Sequence, residues 1–158
     1  MTLFLEQFHA GKGLDPVADA HAGGVASDIV NMSAWGKCTY LVYRGVATGG
    51  TAAPTYTVEA CDDTTPSNTS AVAFHYRKVD STDIEGEITE ATATGFQATA
   101  GSSKVDIIEV SASALAASGY KYVRLAIAET VNDPVVSAVL ILLSEPRHRG
   151  GIAPTVLT

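Results

Sequence analysis

The chain has 158 residues and a mass of 16.4 kDa, enough for one domain that buries roughly two-thirds of its unfolded surface without metal or disulfide staples. Its net charge of −7 and its ten scattered basic residues exclude a phosphate-binding face, which needs clustered Lys and Arg. Charged residues make up only 17 % of the chain, against about 25 % in ordinary soluble domains, so the surface is weakly hydrated and suits packing against other subunits.

Residues 1–26 read as an arm. Leu3, Phe4, Leu5 and Phe8 form an apolar knot at the front, and Gly11, Gly13, Gly23 and Gly24 interrupt the remainder of the segment. Asp15, then Pro16, then the Gly23-Gly24 stop have the form of an N-cap, a first-turn proline and a terminator, which predicts one or two helical turns. The front carries no basic n-region and no adequate apolar h-region, so it is not a secretory signal. The longest apolar run, 134–143, is far short of the roughly 20 residues that span a bilayer. The expectation is a soluble protein made in the cytoplasm, without membrane contact.

From Lys37 the apolar period changes to two. Strands are predicted at 37–46 and 55–61, joined by a flexible Gly49-Gly50 to Pro54 loop, and at 71–79 after a turn cluster at 62–68. Further strands follow at 84–89, 95–99 and 105–110. A short helical turn at 112–118 stops at Gly119 as a C-cap glycine would. Two long strands, 120–129 and 134–143, close the domain around the Asn132-Asp133-Pro134 turn. Seven or eight strands with one trivial helix predict an all-β fold, an antiparallel β-sandwich of jelly-roll-like or flattened-barrel form over 27–147. The tail, 148–158, carries Ile152, Val156 and Leu157 behind an Arg149-Gly150-Gly151 hinge.

Parity separates the strands into two kinds. In Tyr56, Val58, Ala60 and in Val123, Leu125, Ile127 one parity is apolar, while the other carries Thr57, Glu59, Arg124 and Ala128, as expected for one buried and one wet face. In 38–43 and 135–142 both parities are apolar: Leu41 and Tyr43 alternate with Tyr40 and Val42, and Val139 and Ile141 with Val136, Leu140 and Leu142. Those two strands require a second cover, from a loop, the arm or a neighbouring subunit. Tyr40, Val139 and Ile141 are the candidate interface residues here, beside Leu3, Phe4, Leu5, Phe8, Ile152, Val156 and Leu157 at the ends.

The polar residues form no chemical constellation. His9-Ala10-Gly11-Lys12-Gly13 lacks the first glycine of a phosphate loop, since Glu6 stands in its place. Asp62-Asp63 with Asn68 lacks the spaced acid, the glycine and the terminal Glu of a calcium loop and reads as a solvated turn. His75 and Arg77 share a face opposite Phe74 and Tyr76 without a nucleophile or orienting acid, and read as surface or interface residues. Glu85, Glu87 and Glu90 lack the sugar-lined cleft that paired glycosidase carboxylates need. His9, His21 and His148 are isolated. Cys38 and Cys61 have neither C-x-x-C spacing nor a His pair, so they read as free thiols, buried or half-buried, rather than a zinc site. No catalytic residue, metal or cofactor is expected. The two N-x-S matches, at Asn31 and Asn68, carry no weight without a signal peptide.

The segments 58–63, 71–77, 119–125, 134–136 and 142–147, in that order, resemble the capsid decoration, or cement, proteins of tailed bacteriophages. The resemblance runs over about 27–147 and rests on β-sandwich segments. It implies a non-enzymatic virion protein on the outside of an icosahedral head, a homotrimer whose partner is the major capsid protein and which reinforces the shell against internal DNA pressure. Two other classes share the sandwich: a phage tail or head–tail joining protein, which would build a ring or tube, and a carbohydrate-binding module. The latter normally displays several exposed aromatics, and here only Trp35 and six tyrosines are available.

Overall fold

A computed structural model describes residues 6–147. Two antiparallel sheets pack face to face, which is the all-β sandwich that the period-two patterning predicts. The strands are β1 (Phe8–Val17), β2 (Val25–Ala26), β3 (Val30–Asn31), β4 (Trp35–Ala47), β5 (Thr55–Cys61), β6 (Thr69–Val72), β7 (Phe74–Val79), β8 (Thr89–Ala91), β9 (Phe96–Gln97), β10 (Lys104–Ser111), β11 (Tyr122–Ala128) and β12 (Val135–Pro146). The first sheet runs β1-β12-β4-β10-β7-β8; the second runs β2-β11-β5-β6, with β3 also on β11 and β9 also on β5.

The inward parities of both sheets meet in one core. Tyr40 and Val42 of β4, Ile108 and Val110 of β10, and Val139, Ile141 and Leu143 of β12 face Tyr56, Val58 and Ala60 of β5 and Val123, Leu125 and Ile127 of β11. Each fully buried aliphatic side chain contributes about 1.5–3 kcal/mol through removal from water. Between β10 and β11 the predicted helical turn is present as α1 (Ala112–Leu115) followed by a 3-10 turn (Ala116–Ser118). Ser111 caps it by accepting the Ala114 N–H, and Gly119 closes it at φ 74°, a left-handed position suited to glycine.

Three expectations are corrected. The helical turns expected after Asp15 are not formed; residues 8–17 of the expected arm are β1, an edge strand paired with β12. Long-range pairing outweighs the local capping signal, and Pro16 is tolerated because an edge strand has one unpaired side. The run 71–79 is not one strand. It breaks at Ala73, where the chain passes from β6 in the second sheet to β7 in the first. The strand expected at 84–89 is only a bridge between Val79 and Glu85, with β8 starting later. There Asp80 accepts the Thr82 and Ile84 N–H groups and folds the segment into a turn.

Candidate interaction surface

The outward parity of the first sheet is the unusual feature of this sandwich. Cross-strand partners on a sheet share a face, so the register gives each row directly. One row reads Lys12 (β1), Leu140 (β12), Leu41 (β4), Ile107 (β10) and Arg77 (β7). The next toward the N-terminal end of β12 reads Ala138, Tyr43, Val105 and Val79, with Glu85 bridged to Val79. On the other side lies Ala10, Leu142, Thr39, Glu109, His75 and Glu90. Leu140 is 53 % and Tyr43 57 % exposed, and Val136 and Val46 extend the patch. Three central strands therefore present an apolar belt to the outside. Leu41, Val105, Ile107 and Leu142, between those exposed residues, are half-buried, and β1 lengthens the sheet at its edge instead of covering it.

The second sheet shows the contrast. Its outward parity carries Thr57, Glu59 and Arg124, with Arg124 donating to Glu59 across the strand pair at 2.8 Å. That face is wet, as its alternation predicts.

Charges sit at the margins of the belt, most of them in ion pairs. Lys12 bonds Asp15 at the β1 rim, Arg77 bonds Glu85 beside β7, and Lys37 bridges Glu109 and Glu145 at the end where β12 finishes. The Lys37 ammonium is held above its usual range by those two carboxylates, Glu145 first.

The interface residues expected inside β4 and β12 lie on the other parity. Tyr40, Val139 and Ile141 are core residues with at most 1 % exposure, so the outward residues of these strands are Leu41, Tyr43, Leu140 and Leu142. The requirement for a second cover was legible from two-sided apolarity; which parity faces outward depends on how β4 and β12 sit against the second sheet. Phe8 is half-buried at the start of β1, opposite Ser144. Leu3, Phe4, Leu5, Ile152, Val156 and Leu157 lie outside the described residues.

His75 is exposed on the outer face between Glu90 and Glu109, and Arg77 is half-buried with Glu85 as partner, both opposite in parity to Phe74 and Tyr76 as expected. Tyr76 stacks on Phe96. Asp62 is a turn residue that accepts from Asn68 and Ser67. Cys38 and Cys61 are buried free thiols, and burial pushes their pKa values up to about 12 and about 11, which leaves both as neutral core side chains near neutral pH. Trp35 is buried and stacks with His9, so it offers no platform for a sugar ring. Among the described residues no group of three His, Cys, Asp or Glu side chains could hold a metal ion, and no helix is long and apolar enough to cross a membrane.

Sequence reasoning missed a buried polar node at one end of the core. Arg44 is fully buried and donates to Asp106 at 3.1 Å and to the Ala52, Thr99 and Gly101 carbonyls, while the Tyr56 hydroxyl donates to the same carboxylate. Burial raises the Asp106 pKa, and Arg44 and Tyr56 oppose it. The node ties the loops at 51–53 and 99–101 to β4 and β10; a buried pair of this kind fixes geometry more than it adds net stability. The sequence showed a charge on an otherwise apolar parity, Arg44 continuing Tyr40 and Val42 and Asp106 continuing Ile108 and Val110; that this parity faces inward is set by how the sheets pack.

No family model and no curated protein sequence matches the chain. Among solved structures the chain is similar to the crystal structure of the SPBc2 prophage-derived protein YomS, with a TM-score of 0.46 and 9 % identity over 87 % of this chain and 93 % of that one.

Proposed function

We propose that this chain is a structural protein of a tailed-phage virion, a decoration protein that binds the outside of the capsid as a homotrimer and reinforces the shell, with the major capsid protein as its partner and no enzymatic activity. The observation that carries this reading is the pairing of the first and last strands. Phe8 pairs with Ser144, and β12 finishes at Pro146 beside Trp35, so β1 starts and β12 stops at the same end of the sandwich. The apolar Leu3, Phe4 and Leu5 precede β1 in the sequence, and the apolar Ile152, Val156 and Leu157 follow β12. A trimer multiplies such attachments through effective concentration without any single strong contact. Burial of each side chain contributes on the order of 1.5–3 kcal/mol before ordering costs.

Co-sedimentation with undecorated phage heads tests the reading. The wild-type chain is expected to pellet with heads, and the triple variant Leu3→Ser, Phe4→Ser, Leu5→Ser to bind at least about tenfold more weakly with unchanged circular dichroism. Substitution is the better probe than removal of residues 1–12, which would cut into β1. Equal binding by the variant refutes attachment through the N-terminal segment. Absence of wild-type binding to any head refutes decoration.

A further inference from the structure

We infer that the outer face of the first sheet is the surface on which a second copy of this chain packs, with Leu41, Tyr43, Ile107, Val136, Leu140 and Leu142 at the centre of the contact. The inference rests on the proposed reading of the chain as one that assembles with itself, and it names the surface responsible.

Size is the first argument. At ordinary strand and residue spacings, the roughly twenty outward positions of the six strands tile about 700 Å², close to the roughly 800 Å² per partner of a stable protein interface. The apolar belt over β12, β4 and β10 occupies the middle of that area, and the polar residues lie around it, which is the anatomy of an interface core within its rim. A segment such as 148–158, laid extended along one strand, would cover only about 170 Å². That leaves about three-quarters of the face uncovered.

Charge is the second. The molecule carries a net −7, so two copies repel at long range unless the approaching faces are balanced. On this face and its margin Lys12, Lys37 and Arg77 stand against Asp15, Glu85, Glu90, Glu109 and Glu145, so it carries a small acidic excess, with ion pairs at the β1 and β7 rims. A strongly acidic or basic partner would find no matching field here.

The test is the mass of the full chain in solution, without heads, by light scattering at tens of micromolar concentration. Wild type is expected at a multiple of 16.4 kDa, threefold for a trimer. Leu140→Glu and, separately, the milder Tyr43→Ser should weaken association at least tenfold while circular dichroism stays native. Thr57→Glu, on the outer face of the second sheet, should leave the mass unchanged. A monomeric wild-type chain overturns the inference, and so does native Tyr43→Ser or Leu140→Glu protein that keeps the wild-type mass. A wild-type oligomer that ignores heads would overturn decoration and leave this surface standing.

Discussion

His21 is where acidity reaches the fold. Its side chain is only 3 % exposed, and its Nε2 has no hydrogen-bond partner among the described residues. Burial, reinforced by the Arg44 guanidinium and opposed by Glu129, lowers its pKa to about 4. In the unfolded chain an ordinary histidine titrates near 6.5. Above that pH the ring is neutral in both states and the residue adds no pH dependence. Between about 6.5 and 4 the unfolded state binds a proton that the folded state refuses, so stability falls with pH, by roughly 3 kcal/mol in all, and levels off below 4. Urea unfolding of wild type and His21→Gln at pH 7.5, 5.5 and 4.5 checks this; wild type should lose more stability than the variant as pH falls, because only wild type carries the penalty. Parallel curves would place the acid sensitivity elsewhere.

At the scale of elements, two glycines separate backbone strain from steric collision. Gly23 has φ 67° with nothing near a would-be Cβ, whereas at Gly95, φ 77°, a Cβ would lie 2.0 Å from the Tyr56 carbonyl oxygen. Gly95 follows the turn closed by its N–H to the Thr92 carbonyl and lets β9 reach its pairing with Thr55 and Tyr56. Gly23→Ala should cost about 1 kcal/mol, the left-handed penalty alone. Gly95→Ala should cost at least about 3 kcal/mol, since β9 must withdraw from β5 and Phe96 from its contacts with Tyr56 and Tyr76. Denaturant midpoints of both variants measure the difference, and comparable losses would refute the collision at β5.

For the whole molecule, β1 decides whether the first sheet ends safely. It covers the flank of β12 with a strand containing Gly11, Gly13 and Pro16, a poor template for further pairing. Removing residues 1–17 bares the flank of a long, apolar strand. The truncated chain is expected to aggregate by light scattering and to melt at least about 5 °C lower, since a loss of 1 kcal/mol shifts Tm by several degrees in a domain of this size. A truncated protein that stays dispersed and melts with wild type would make β1 dispensable to the fold.

The fold class was legible because period-two patterning is local and dense: the inward sets of β4, β5, β10, β11 and β12 are written in alternate residues, and Gly119 marks its own cap. The need for a cover over β4 and β12 was legible too, from apolar residues at both parities. What only the tertiary structure decided is non-local. Sequence cannot say that Asp15-Pro16 starts no helix, because the free flank of β12 that recruits β1 lies more than a hundred residues away. Nor can it say that Tyr40, Val139 and Ile141 point inward while Leu41, Tyr43 and Leu140 point outward, because alternation fixes which residues share a face and leaves open which face meets the other sheet. That choice is made only when two sheets close on each other, and it sets both the core and the surface left for a partner.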